Sequence, residues 1–160
     1  MNKPTPSTLL LVCLSLVLVV AAACYPPATP IPPTTAPSPA PSNAITNIVW
    51  RWQTLNDVAA GTSMKVDDPS KYTIVFYVDG TTTGQADCNT FSGIYSQANG
   101  FAITVRPDIM AACDQGSMDQ LFLSLLGDVA AGGPDGAGGL MLQTAGGAQQ
   151  MLFSNSGPAQ

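Results

Sequence analysis

The chain has 160 residues and a formal net charge of −5, with 46% hydrophobic and only 9% charged residues. All ten acidic residues are Asp, and there is no His. The missing imidazole excludes Ser-His-Asp and Cys-His nucleophile activation, His-ligated zinc and His-based pH switches. The five basic residues are scattered, which argues against nucleic-acid binding because phosphate neutralisation needs clustered positive charge. The length suits one domain.

Residues 1–23 have the parts of an export signal. Lys3 precedes an apolar run from Leu9 to Val20, and three alanines and Cys24 follow that run. As a helix, residues 8–23 would be about 24 Å long, which is short for a bilayer core of about 30 Å. We therefore expect residues 1–23 to be a signal peptide that is removed.

The end of this segment resembles the bacterial lipobox, in which small residues precede a Cys that is acylated after cleavage. Cys24 is the candidate lipidation site, and its acyl chains would anchor the mature chain to a lipid bilayer. The position three before it is Ala21, where Leu is usual. Two alternatives stay open: release after Ala23, which would give a secreted soluble binding domain, and an uncleaved anchor. Cys13 follows the bulky Val12 and is interpreted as an apolar residue of the signal.

Residues 24–44 are rich in Pro, Thr, Ser and Ala and include eight of the chain's fourteen prolines. Proline lacks an N–H donor and favours polyproline II, so we expect neither helix nor sheet here. The segment is interpreted as a disordered tether that reaches up to roughly 60 Å at about 3.1 Å per residue. A PxxP ligand and an O-glycosylated stalk are the functional alternatives.

Residues 45–156 are expected to form the folded domain, mostly from short strands. Residues 48–52 and 72–78 are rich in β-branched and aromatic residues, as strands are. Alternation within the second segment predicts that one face of its strand carries Tyr72, Ile74, Phe76 and Val78.

Turn dipeptides predict three hairpins. They lie at Asp79-Gly80, Asn99-Gly100 and Gly146-Gly147. The glycine-rich segment 132–139 is interpreted as a flexible loop, because it lacks the Lys and Ser/Thr of a phosphate-binding loop and does not follow a predicted strand.

One helix is predicted at about residues 117–130. Ser117 and Gln120 have the spacing of a capping box. Apolar residues recur at three- and four-residue spacing and form one stripe, which we expect to cover an open sheet face or plug a barrel end. The stripe comprises Met118, Leu121, Phe122, Leu125, Leu126 and Val129.

Cys88 and Cys113 are the two cysteines of the folded segment. In an exported domain the simplest interpretation is one disulfide between them. By closing a loop of about 25 residues, it would stabilise the fold by roughly 3 kcal/mol. Free buried thiols and a redox-active pair are the alternatives, and the redox pair lacks both a C-x-x-C spacing and a neighbouring base to lower a thiol pKa.

The order of motifs from Trp50 to Phe153 resembles the META domain family, also called HslJ-like. Its most specific string is C-N-x-x-S-G-x-Y, formed here by Cys88, Asn89, Ser92, Gly93 and Tyr95. Two positions depart from the family pattern: Asp87 stands where many members carry Gly, and Gln120 where members often carry Glu. The other matching pieces are Trp50-Arg51-Trp52-Gln53, Tyr72–Phe76 with Asp79-Gly80, Met110–Cys113 and Leu123–Leu126.

The resemblance implies an α+β domain in which an antiparallel, barrel-like sheet is accompanied by one principal helix. It also implies an outer-envelope setting, with associations to stress response, antibiotic tolerance, secretion or motility. It does not imply a catalytic residue. Within the motif, Asn89, Ser92, Gly93 and Tyr95 are interpreted as a structural turn between two strands. A binding site at this turn is the alternative.

The sequence therefore predicts a non-enzymatic extracytoplasmic lipoprotein, held in the bacterial cell membrane or outer membrane by Cys24. We expect a monomer that binds or scaffolds an envelope protein, glycan or small molecule, with no cofactor, metal or nucleic acid. The rival function is a hydrolase that uses Asp pairs alone. The adjacent pair Asp67-Asp68 favours a solvated turn instead, because adjacent side chains on an extended chain point to opposite sides.

Overall fold

The structure is a computed structural model that describes residues 43–108 and 111–160. The predicted signal peptide and lipidation site, and the tether up to residue 42, lie outside the described residues. Within them, no helix has both the length and the apolar character needed to cross a bilayer.

Nine strands, one α-helix and short 3-10 turns make up the described domain. The helix α1 is Asp119–Gly127. The strands are β1 (Ile48–Asp57), β2 (Thr62–Lys65), β3 (Tyr72–Phe76), β4 (Thr81–Ala86), β5 (Asn89–Ser96), β6 (Ala102–Pro107), β7 (Val129–Pro134), β8 (Leu140–Thr144) and β9 (Gln149–Pro158).

The strands form one antiparallel sheet that curls into a nearly closed barrel. Their order is β6-β5-β4-β3-β1-β9-β8-β7, and β2 pairs with the second half of β1. The two ends of the sheet meet where the Phe101 N–H donates to the Ala130 carbonyl oxygen at 3.0 Å. The predicted α+β class, with a barrel-like sheet and one principal helix, is confirmed.

Two glycines allow the sheet to curl. A Cβ at Gly84 would overlap the carbonyl oxygen of Thr73 on the neighbouring strand, and one at Gly93 would overlap that of Thr104. Glycine within a strand often marks such a close approach of neighbouring backbone. The glycine of the family motif is therefore required by the close approach of the β6 backbone to β5.

The interior of the barrel is filled by aromatic side chains around α1. Phe122 is fully buried, and its ring centroid lies 5.2 Å from that of Trp52 and 5.6 Å from that of Tyr72. Phe91 and Phe153 lie at 6.1 and 6.3 Å. These four partners come from β1, β3, β5 and β9, so one helical residue contacts four strands. The prediction that the apolar face of the helix plugs the barrel is confirmed.

The detail of the helix differs from the prediction. α1 begins at Asp119, and the Ser117 hydroxyl oxygen accepts from the Asp119 N–H at 3.2 Å. The predicted capping box with Gln120 is therefore wrong, because Ser117 uses the nearer N–H. Leu121 is 38% exposed, and Val129 is buried but starts β7. The buried face of the helix instead comprises Asp119, Phe122, Leu123, Leu125 and Leu126.

The three predicted turn dipeptides do connect β3 to β4, β5 to β6 and β8 to β9. The interpretation of residues 132–139 as a loop is wrong in its first part, because β7 extends to Pro134. Small residues suit that strand, since a Cβ at Gly132 would overlap the side chain of Leu142. Val78 lies beyond the end of β3 and is 65% exposed, so it does not share the buried face of Tyr72, Ile74 and Phe76.

A pair of neighbouring substitutions on α1 tests this packing. Phe122→Ala should lower the free energy of unfolding by about 3–5 kcal/mol, because it leaves a cavity between four strands. Leu121→Ala, the matched control on the exposed side, should cost less than about 1 kcal/mol. Urea denaturation of the full-length chain measures both. Equal losses would show that the helix does not present Phe122 to the interior.

Candidate functional site

The family motif begins at the turn between β4 and β5. Asp87 has a φ of 57°, a left-handed conformation that Asp tolerates better than most residues and Gly adopts freely. The Sγ atoms of Cys88 and Cys113 lie 2.05 Å apart, at the distance of a disulfide bond. The pair joins the β4–β5 turn to the segment that precedes α1.

Asn89 holds the same segment through its buried side chain, which is 2% exposed. Its Oδ1 accepts from the Ala111 N–H at 2.8 Å, and its Nδ2 donates to the Ala111 carbonyl at 3.1 Å and to Asp119 Oδ2 at 3.2 Å. The amide therefore satisfies both backbone groups of Ala111 and fixes the first residue of α1. A role in anchoring explains why this position needs a group that both donates and accepts.

The sequence predicted a turn for the motif residues, but Ser92, Gly93 and Tyr95 lie on strand β5. The turn is at Asp87 and Cys88, and Asn89 already begins the strand. Ser92 donates to Asp108 Oδ1 at 2.8 Å, and the Tyr95 hydroxyl donates to the Tyr77 carbonyl at 2.8 Å. The motif therefore combines cross-segment hydrogen bonds with the close approach of β6 at Gly93.

A polar network surrounds Asp87. Lys71 Nζ lies 2.9 Å from Asp87 Oδ1. The Tyr72 hydroxyl, which accepts from the Met118 N–H at 2.9 Å, lies 3.5 Å from Asp87 Oδ2. Hydrogen bonding from Ser117 and from Lys71 holds the pKa of Asp87 below its ordinary value of 3.8. The hydrogen bond from Lys71 to Asp87 also raises the pKa of Lys71 above its ordinary value of 10.5. A depression of about 300 Å³ opens beside this network, but the charges of Asp87 and Lys71 already pair with each other.

Of the adjacent pair Asp67 and Asp68, the carboxylate of Asp68 is engaged by a neighbouring turn. Asp68 Oδ1 accepts from the Ser70 N–H at 3.1 Å and from the Ser70 hydroxyl at 2.5 Å. Asp68 thus caps the 3-10 turn Pro69–Lys71, as expected for a solvated turn. Among residues 43–108 and 111–160, no group of three or more Cys or Asp residues is arranged to hold a metal ion.

A groove of about 410 Å³ lies on the outer face of β4, β5 and β6. Cross-strand pairing explains its composition: Thr83 lies opposite Ser92, and Ser92 lies opposite Arg106. Ile94 has Thr81 on one side and Thr104 on the other. The groove is lined by Thr81, Thr82, Thr83, Ser92, Gly93, Ile94, Thr104 and Arg106.

Of the residues that line this groove, the sequence indicated only Ser92 and Gly93, as part of the alternative binding site at the motif. The side chains of the groove are the outward half of an alternating pattern on β4, β5 and β6, strands for which no faces were assigned from the sequence. A signal was nevertheless present, because Ser92 and Ile94, like Thr104 and Arg106, are spaced two residues apart, as same-face neighbours on a strand are.

A family model described as META domain matches residues 44–157. The chain belongs to the META domain family. Residues 50–153, over which the motifs were recognised, lie within this match. No curated protein matches the chain.

Two solved structures share the fold of this META domain. An NMR structure of a protein from Burkholderia xenovorans has a TM-score of 0.57 at 20% identity and covers 82% of this chain and 99% of its own. A crystal structure of a DUF4847 family protein from Bacteroides vulgatus has a TM-score of 0.52 at 14% identity and covers 69% of this chain and 93% of its own. At these identities the likeness concerns the fold alone.

The network around Asp87 makes stability depend on pH. Because the pKa of Asp87 is lowered on folding, its charged form stabilises the domain above about pH 4, and this contribution is lost as pH falls through the folded pKa. Asp87→Asn should therefore lower the urea midpoint at pH 7. The difference between this variant and the unmodified chain should shrink below about pH 4.

Asp67→Asn provides the matched control, because it removes the same charge from an exposed turn position. Its urea midpoint at pH 7 should stay close to that of the unmodified chain. A pH-independent difference for Asp87→Asn would contradict the assigned role of the carboxylate.

Proposed function

We propose that this META domain is the binding module of a membrane-tethered extracytoplasmic lipoprotein and acts by presenting its outer groove to an envelope component. Support for the location comes from the sequence: the apolar segment ending in three alanines, Cys24 and the proline-rich residues that follow. Envelope stress response is the physiological setting that the family resemblance suggests.

The observation that carries the binding role is the groove on β4, β5 and β6. The barrel interior is occupied by Phe122 and its aromatic partners, so a ligand that leaves this core intact must bind at the surface. At about 410 Å³, the groove falls within the range of about 300–1,000 Å³ that small-molecule sites occupy. It also includes the exposed charge of Arg106.

Hydrolysis is a weaker proposal for the described residues. Asp68 is used to cap a turn, and Asp87 is used in an ion pair with Lys71. Asp119 accepts from Asn89 and from Ser117. Asp68 and Asp87 line one depression together with Asp67 and Asp114, but their hydrogen bonds and ion pair commit them to structural roles rather than to general acid or base chemistry.

The membrane location is tested by Cys24→Ala. Without a thiol to acylate, the chain should move from the membrane fraction to the soluble extracytoplasmic fraction, as measured by fractionation and immunoblotting of cells. Cys13→Ala is the control within the same segment and should stay with membranes. A Cys24→Ala chain that still fractionates with membranes would overturn the lipid anchor.

The binding role is tested by photo-crosslinking in cells. A benzophenone amino acid in place of Thr104 lies in the groove, and one in place of Thr62 lies on the exposed strand β2. We expect an adduct from position 104 that is absent from position 62, is lost with Arg106→Ala and is retained with Arg51→Ala. Mass spectrometry then identifies the crosslinked component. Adducts of equal yield from both positions, or none from position 104, would count against binding in the groove.

A further inference from the structure

The groove offers hydroxyl and methyl groups side by side. Thr81, Thr83 and Thr104 are exposed on the outer face, and each carries one hydroxyl next to one methyl. The Thr81 hydroxyl donates to Asp79 Oδ1 at 2.6 Å, which places a carboxylate beside the groove, and the Thr83 hydroxyl lies 3.3 Å from that of Tyr77. Most of the exposed lining is nevertheless carbon, contributed in part by Ile94, which is 61% exposed. A ligand that fits this surface has apolar patches interrupted by hydroxyls.

The groove also carries one positive charge. Among the described residues that line the groove, Arg106 is the one charged side chain. The ion pair found in residues 43–108 and 111–160 joins Lys71 to Asp87 and does not involve Arg106. A guanidinium binds a carboxylate through two parallel hydrogen bonds. Because the chain as a whole is acidic, this position is a local exception that favours an anionic ligand group.

We infer that the groove binds an acidic glycan, with Arg106 pairing a uronic-acid carboxylate and the Thr104 hydroxyl contacting a sugar hydroxyl. This inference rests on the proposed binding function and assigns its ligand class. Sugar rings have the required chemistry, since their C–H faces alternate with hydroxyl edges. Tyr77 borders the groove, where its hydroxyl lies 3.3 Å from Thr83 Oγ1, and offers a ring edge beside the site.

An acidic peptide fits less well. Extended peptides gain affinity on sheets mainly by pairing with a free strand edge. β4 and β5 are each paired on both sides, and the other edge of the end strand β6 faces β7 at the contact between Phe101 and Ala130. The groove therefore recognises its ligand through side chains.

Asp108 limits the charge of the site at one end. Its Oδ1 accepts from Ser92 at 2.8 Å, which brings a carboxylate next to the groove. This charge repels an anionic ligand, so Asp108→Asn should tighten binding of an acidic glycan. The same variant should have little effect on a neutral one.

The test uses isothermal titration calorimetry on the full-length chain in mild detergent, with oligogalacturonate as the probe. The fully methyl-esterified oligomer is the matched ligand, because it keeps the sugar chain and removes the carboxylate charges. We expect binding of oligogalacturonate that weakens about tenfold or more on esterification, since charge-assisted hydrogen bonds are lost. Arg106→Ala should cause a similar loss, whereas Arg51→Ala, an equal charge change outside the groove, should stay within about twofold.

The hydroxyl contacts are tested by Thr104→Val, which keeps the shape and removes the hydroxyl, with Thr62→Val on β2 as the control. Weaker binding with Thr104→Val alone supports a glycan. If Arg106→Ala and Arg51→Ala weaken oligogalacturonate binding equally, the affinity reflects general charge attraction, and the assignment of the groove as the binding site is wrong.

Hexaglutamate serves as the peptide probe. If it binds as tightly as oligogalacturonate and with the same dependence on Arg106, the glycan assignment is wrong. Absence of oligogalacturonate binding would also overturn the glycan assignment. Either outcome is distinguishable from failure of the proposed function, because crosslinking from position 104 in cells reports binding of any envelope component in the groove.

Discussion

The ring of Phe122 is the point at which the helix and the sheet depend on each other. It lies fully buried among rings from β1, β3, β5 and β9. A barrel of this size needs its interior filled by side chains, because an empty space would leave the inward-facing side chains of every strand without van der Waals contacts. One helix therefore completes the core, and the direction in which α1 enters the barrel decides whether it can do so.

That direction is set at the start of the helix by the family motif. Asn89 bonds both backbone groups of Ala111 and the carboxylate of Asp119. The pair of Cys88 and Cys113 ties the same segment to the β4–β5 turn, and Tyr72 accepts from the Met118 N–H. The motif residues thus act at the junction between sheet and helix. Their arrangement explains how most of a recognisable string can be structural, although Ser92 and Gly93 of the same string also line the groove.

Strand β5 serves both purposes because its side chains alternate. Asn89, Phe91 and Tyr95 are used in the interior or in anchoring, whereas Ser92 and Ile94 point to the groove. Gly93 permits the backbone of Thr104 on β6 to approach closely. The groove is therefore built on a strand that the core already holds rigid, which is the arrangement that positions side chains most accurately for binding.

Local patterns in the sequence predicted much of this fold. The alternation of Tyr72, Ile74 and Phe76 and the turn dipeptides carry strong local preferences, and the order of motifs identified the family. β7 was missed because its small residues have no strand preference of their own and are held by pairing with β8. The helix start was misplaced because Ser117 had a nearer N–H to accept from. The groove as a whole was missed because it needs residues from three strands, whose register the hairpin turns alone do not give.

Binding at the outer face, with the interior left intact, is tested most directly by methyl NMR of the full-length chain in detergent during titration with oligogalacturonate. The methyl signals of Thr81, Thr83, Ile94 and Thr104 should shift, because these residues line the groove. Those of Leu140, Leu142 and Met151, which are fully buried, should not. Shifts concentrated on the buried methyls, with the groove unchanged, would contradict recognition at the outer face.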